Sequence, residues 1–581
     1  RSNSFPQRQY STLGVRDFIL IPSPAANMIP ANSSMFPPLQ LCVKRFVYRH
    51  NYTSGPGTAV PGPMLIAPCP GVPPVAGFTL TTRLAEGKIT VFQLRFHMIS
   101  ALEPMRGHPM DKAQLPFLSA TELAALIKFR EVSPVEATEA YLERIPQVDG
   151  KLNSYITVTA DRAMADARQA EQEITSGKYR GPMHGVPIGI KDQVYTKGIP
   201  TTGGSTILKD FVPDEDATVM TKLIDAGAVL LGKLNMSEFA MGDAFEHPYG
   251  RPHNPWDLSR NPGTSSSGSG AATAAFLCAT SLGEDTGGSI RGPASFCGLV
   301  GIRPSWGRVS RHGVLGASWS MDQVGPISRT VADCAMTLGA IAGHDPKDGH
   351  TWNVPVPDYL AMLSGSIEGV KVGVITERVE GDAVDSQVRD LVVKAIAQLG
   401  ELGAVVSDVE IPLIARSAVI STAVTYGDVS GIHREGIENR LKEYDYNIQL
   451  RLLAGAILPA QAHQKAVRLR HMLRQQILDA LEQVDVLVMP TSSIPASPIP
   501  EKAGVESKEA FMEMLSGRRS FTAPFNLASV PALSINCGFT PEDLPVGLQI
   551  VGKPFDESTV FQVAHAYEKA TTWNTRRPPV S

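Results

Sequence analysis

Apolar and polar positions first fall into a regular pattern just after Met110. Ser119-Ala-Thr-Glu122 precedes the apolar positions Leu123, Leu126 and Ile127, and Ser133-Pro-Val-Glu136 repeats the device. In each, the serine hydroxyl can accept from the amide three residues on while the glutamate reaches back, which is a capping box. Pro134 sits at the first helical position, where its missing N–H costs nothing. Two helices in quick succession are expected. Further on, β-branched runs at 186–190, 229–231, 370–375, 405–411 and 484–489 alternate with amphipathic stretches such as 386–402 and 459–481. Short apolar runs of this length read as strands, and their alternation with helices predicts an α/β architecture around a central sheet.

Residues 1–109 read differently. Prolines recur and helical periodicity is missing. Asp17, Glu86 and Glu103 are the only acidic residues against ten arginines and lysines. Such a segment buries too little apolar surface to offset its ordering entropy, so it is expected to be largely disordered. Its low acidity and its arginines and serines are similar to an organellar targeting sequence, although its length and prolines argue against one. Translation that begins at Met110 is the third reading. The expected division is therefore 1–109 as an extension and 110–581 as a single domain.

Composition narrows the partners. Of the 581 residues 43% are hydrophobic and 19% charged, the balance of a globular protein, and the net charge of -4 gives no electrostatic reason to expect nucleic acid or an anionic membrane. No apolar run approaches the ~20 residues of a membrane span, and a cytoplasmic location is expected. The six cysteines (Cys42, Cys69, Cys278, Cys297, Cys334, Cys537) form no CxxC pair, which points to reduced, buried thiols rather than a zinc site or disulfide framework.

The chemistry concentrates between Asn261 and Gly298. Two Gly/Ser-rich loops, Asn261-Pro-Gly-Thr-Ser-Ser-Ser-Gly-Ser-Gly270 and Gly283-Glu-Asp-Thr-Gly-Gly-Ser-Ile-Arg-Gly-Pro-Ala294, flank a small-residue helix. Backbone of this kind can aim several amides into one cavity and hold an anion. A phosphate-binding P-loop is excluded at Ser269 and Gly270, which replace the lysine and the hydroxyl residue of that motif, and the glycine pattern fails as a dinucleotide fingerprint. A solvated linker is the plain alternative, but Asp285 and Arg291 around Thr286-Gly-Gly-Ser289 read as the internal charge pairing of a buried loop. Ser289 lies in neither a GxSxG nor an SxxK motif. His184 and His312 lack an assignable carboxylate. Lys191, directly after an apolar strand, is the better base, since burial lowers the pKa of an amine, although a solvated strand-end lysine has the same spacing.

Gly-Val-Pro-Ile-Gly-Ile-Lys191-Asp, Gly263-Thr-Ser-Ser-Ser-Gly and Asp285-Thr-Gly-Gly-Ser289-Ile-Arg together resemble the amidase signature family. The spacings agree, with 74 residues from Lys191 to Ser265 and 24 from Ser265 to Ser289, and the resemblance runs from about Leu118 to the end. It implies a central mixed twisted sheet covered by helices on both faces. It also implies hydrolysis of a small-molecule amide without metal or cofactor, with esters and carbamates as side substrates and a homodimer as the assembly to test. Ser289 is then the nucleophile. Ser265, reached through a cis peptide bond, passes its proton to Lys191, and Ser266 bonds Lys191. The amides of Thr286, Gly287, Gly288 and Ser289 form the oxyanion hole, and Asp285 and Arg291 organise the loop. Phe239, Ala240, Met241 and Phe525 are expected to line an apolar pocket for aryl or alkyl amides. Thr264 departs from the family pattern, which has glycine there. The nearest rival is the glutaminase subunit of a tRNA-dependent amidotransferase. Its pattern has an aspartate where this chain has Arg519, an arginine that would repel an ammonium-bearing substrate, while Arg451 as a carboxylate binder keeps the rival open. A binding protein that keeps the fold without turnover is the other alternative.

Overall fold

The computed structural model describes residues 82–85, 88–91, 111–241, 245, 247–381, 383–502, 504, 507 and 519–580. Most of the 1–109 extension, with Cys42 and Cys69, lies outside the described residues. Within it, β1 (Thr82–Ala85) and β2 (Lys88–Val91) pair antiparallel, a hairpin that the proline-rich composition does not announce. The chain divides into a unit ending at Pro104 and a second beginning at Met105.

Both capping boxes form. Ser119 and Glu122 open the helix Ala120–Lys128, and Ser133 and Glu136 open Pro134–Leu152. The second unit is built on one mixed sheet of eleven strands. Side by side run β10 (Val405–Val409), β9 (Lys371–Ile375), β11 (Val486–Pro490), β13 (Pro545–Gly552), β12 (Ala532–Phe539), β7 (Val300–Arg303), β8 (Val324–Ser328), β6 (Thr280–Glu284), β4 (Pro187–Lys191), β5 (Val229–Leu234) and β3 (Tyr155–Val158). Neighbours are parallel across β10-β9-β11 and β6-β4-β5 and antiparallel at every other join. Helices flank the sheet, as expected of an α/β fold.

Strands β4, β5, β6, β8, β11 and β13 are buried along their whole length, which is why several read as continuous apolar runs rather than alternating ones. β10 is an edge strand and stays largely exposed despite its valines. The helix Ser267–Ala274, made of small residues and wholly buried, lies close against the chain around Asn235. A Cβ on Gly268 would stand 2.4 Å from Ser154 O and 2.5 Å from Asn235 N, so only glycine allows that approach. Cys278, Cys297, Cys334 and Cys537 are free, buried thiols. Among the described residues no helix is long and apolar enough to cross a membrane.

Candidate active site

Parallel pairing of β4 with β6, Ile190 opposite Leu282, brings Lys191 and Glu284 to neighbouring carboxyl ends of the sheet. Ligand sites of open α/β sheets form outside such strand ends. Lys191 is fully buried and its Nζ stands 2.8 Å from Ser265 Oγ. Burial lowers its pKa to about 8, against the pull of Glu284, Asp285 and Asp322, which raise it. The lysine therefore gives up its proton far more readily than an ordinary amine. Lys233, equally buried on β5, is instead tied to Asp192 at 3.3 Å, Val194 O at 2.9 Å and Thr201 Oγ1 at 2.7 Å.

Ser265 follows a tight turn in which Asn261 Oδ1 accepts from the amides of Gly263 (2.7 Å) and Thr264 (3.1 Å). Gly263 has φ 108 and Thr264 φ 57. Threonine thus occupies a left-handed conformation that β-branched residues rarely adopt, at the position where the family pattern has glycine. The expected cis peptide is not found, since none of the described bonds is cis. Ser266 also departs from expectation. Its hydroxyl donates to Glu284 O at 3.3 Å and accepts from Glu284 N at 3.4 Å, so it ties the serine turn to the end of β6 rather than bonding Lys191.

The second loop is organised by Asp285. Its carboxylate accepts from the amides of Gly288 (2.7 Å) and Ile290 (3.2 Å), from Asn526 Nδ2 (2.7 Å) and from Arg291 through two contacts of 3.0 Å. Arg291 extends the lattice to Thr522 O and Gln549 Oε1. The Gly288 amide is thereby spent on Asp285, which removes it from the expected set of oxyanion donors. The amides of Thr286, Gly287 and Ser289 take no partner among the described residues. Gly288 has φ 119, and a Cβ there would meet Thr522 Oγ1 at 2.3 Å.

Ser265, Ser289, Thr286, Gly287 and Gly288 share a cavity of about 330 Å³. Ala240 and Met241 line it as expected, but Phe239 and Phe525 do not. Phe525 is wholly buried in the main core. The Phe239 ring packs edge-on against His433 at 4.7 Å and tilts against Tyr444 at 5.6 Å in a separate apolar cluster. Further walls come from Phe296, Ile494 and Lys502 and from Tyr426, Val429 and Arg451 on the helices Ser417–Ile432 and Tyr446–Ala456. Apart from Arg451, sequence reasoning misses these residues, because the two helices are distant in the chain and their lining positions carry no motif. His184 and His312 lie away from this cavity. His184 Nδ1 accepts from Arg180 N, and His312 lines a different recess. The side chain of Arg519 lies outside the described residues.

Comparison with known proteins agrees with the geometry. The family model Amidase matches residues 136–561. A glutamyl-tRNA(Gln) amidotransferase subunit from Moorella thermoacetica is 42% identical over 489 residues, 80% of this chain and 99% of its own. Among solved structures, 6-aminohexanoate cyclic dimer hydrolase is 28% identical with a TM-score of 0.73, over 80% of this chain and 99% of its own. The corresponding glutamyl-tRNA(Gln) amidotransferase subunit from Thermotoga maritima is 32% identical with a TM-score of 0.68, over 81% and 99%. With a buried lysine bonded to a serine, a second serine in the same cavity and a family match across most of its length, this chain belongs to the amidase signature family, enzymes that hydrolyse amide bonds.

Proposed function

We propose that Ser289 is the nucleophile and that Ser265 and Lys191 are its proton relay. The observation that carries the reading is the 2.8 Å contact between the buried Lys191 Nζ and Ser265 Oγ, on the cavity that Ser289 also lines. Ser289 Oγ attacks the amide carbonyl carbon as its proton passes to Ser265 and the Ser265 proton passes to neutral Lys191. The amides of Thr286, Gly287 and Ser289 receive the oxyanion, each donor worth about 2.7–4 kcal/mol in such sites. The proton then returns through Ser265 to the leaving nitrogen as the C–N bond breaks, and water releases the acyl group by the same relay. Asp285 and Arg291 hold the loop and take no part in bond making.

Aryl and alkyl amides fit the mixed walls of Met241, Phe296 and Val429. A second reading, glutamine hydrolysis as the glutaminase subunit of an amidotransferase, is favoured by the relatives and by Arg451, a cation placed to meet a substrate carboxylate. A homodimer and a cytoplasmic setting complete the main reading, and sedimentation and cell fractionation test them. The decisive experiment is labelling with a fluorophosphonate. Modification is expected at Ser289 and lost in Ser289→Ala, and labelling that persists in that variant overturns the assignment. Hydrolysis of a panel of anilides, aliphatic amides, carbamates and glutamine then separates the two substrate readings.

A further inference from the structure

Two buried carboxyls stand on either side of one hydroxyl. Thr286 Oγ1 is 2.8 Å from Glu284 Oε1 and 2.7 Å from Asp322 Oδ1. A hydroxyl has one proton to give, so it cannot donate to both. Asp322 also accepts from the amides of Ala317 at 2.8 Å and Ser318 at 2.8 Å, contacts that favour its ionised form although burial raises its pKa. With the Thr286 proton given to Asp322, the contact with Glu284 is a hydrogen bond only when Glu284 itself carries a proton. The other oxygen of Glu284 is buried without a hydrogen-bond partner and lies 3.7 Å from Lys191 Nζ. A carboxyl and an amine this close, both shielded from water, titrate as a pair rather than singly.

We propose that Glu284 is a positioning residue that shares a proton with Lys191 and so sets the pH at which the lysine becomes a neutral base. This rests on the reading of Lys191 as the base. With two protons the pair is a carboxylic acid beside an ammonium, and no base is present. Loss of one proton leaves either a neutral acid and a free amine or a carboxylate and an ammonium. Loss of the second leaves the amine free in every molecule. By holding part of the population as the ammonium at the middle stage, Glu284 raises the pH that full activity requires.

The surroundings support the pairing. Burial and the neighbouring Asp322 push the Glu284 carboxyl up to about 8, against the pull of Lys191. Asp285, which also faces the pair, is neutralised by Arg291 at 3.0 Å, with Arg303 at 3.9 Å. On the far side Glu284 and Asp322 line a second cavity of about 250 Å³ with Arg311, His312, Lys347, Asp348 and His350. Neither Ser265 nor Ser289 lines it, so Glu284 also borders a recess separate from the substrate cavity.

The test is the rate of fluorophosphonate labelling of Ser289 in the full chain, followed across the pH range in which the pair titrates. In the wild type the rate is expected to rise in two steps. In Glu284→Gln, which keeps the shape and the Thr286 contact, it is expected to rise in one step, displaced to lower pH by about one unit or more. Coincident profiles overturn the proposal while leaving Ser289 as nucleophile. Should the variant fail to fold, the wild type decides, because a single one-proton rise there also overturns the proposal. Absence of labelling at Ser289 in the wild type overturns both this proposal and the reading beneath it.

Discussion

Arg291 grips Asp285 through two hydrogen bonds, Nε to Oδ2 and Nη2 to Oδ1, each 3.0 Å long and wholly inside the protein. Burial alone would raise the Asp285 pKa, yet Arg291, Arg303 and Asn526 outweigh it and hold the carboxyl well below the usual range. Its stabilising contribution is therefore present above about pH 4 and is lost as the pH falls below that value. Replacing Arg291 by methionine leaves a buried carboxylate whose remaining ion-pair partner is Arg303 at 3.9 Å, a change of the kind that costs about 3–5 kcal/mol. Denaturant unfolding at neutral pH is expected to show that loss. Acid unfolding of Arg291→Met is expected at higher pH than for the wild type.

The relay has its own pH signature. In the proposed relay the base works only when neutral, so turnover is expected to fall as the pH drops through the range in which Lys191 and Glu284 titrate. Lys191→Met keeps the buried stem but removes the amine. At alkaline pH it is expected to lose about 10²–10⁴-fold in kcat while its Tm stays close to that of the wild type, as a paired kinetic and thermal measurement would show. Full activity in that variant means that another base operates.

Gly288 and Thr264 are opposite cases of backbone demand. A methyl group at 288 has no room beside Thr522, whose hydroxyl donates to Gly287 O at 2.7 Å, and the φ of 119 disfavours any side chain. Gly288→Ala is expected to displace the loop amides and slow Ser289 labelling by about 10²-fold or more. Thr264→Gly relaxes a left-handed threonine, so labelling is expected to persist with stability equal to or above that of the wild type. A large loss of labelling in Thr264→Gly would show that the threonine side chain is needed.

What the sequence makes legible follows from chemistry along each segment. β4, β9 and β11 stand out because strands buried on both faces are apolar runs. β5 runs three residues past its apolar stretch because Gly232 and Lys233 interrupt the pattern. β6, Thr-Ser-Leu-Gly-Glu, does not read as a strand at all. Its hydroxyls are satisfied inside the fold, Thr280 by Ser328 at 2.7 Å and Ser281 by Thr273 at 2.8 Å, through partners that local pattern does not reveal. Ser265 and Ser289 are legible because glycine-rich loops surround them, and Lys191 because it ends an apolar strand. The cavity walls are not, since Tyr426, Val429 and Arg451 meet the serines only through the packing of distant helices.

Arg451 separates the two substrate readings. It lines the cavity with Met241, Val429 and a second cation, Lys502, so a substrate carrying a carboxylate would meet positive charge there, whereas a neutral amide has no charge to pair with it. A charge-assisted hydrogen bond of this kind contributes about 1.5–3 kcal/mol, roughly 10- to 150-fold in binding. Arg451→Met is accordingly expected to raise KM for glutamine by about that factor, and to leave kcat/KM for a neutral anilide within about threefold. Equal losses on both substrates would mean that Arg451 supports the cavity wall and does not read a carboxylate. The glutamine reading would then lose the residue that favours it.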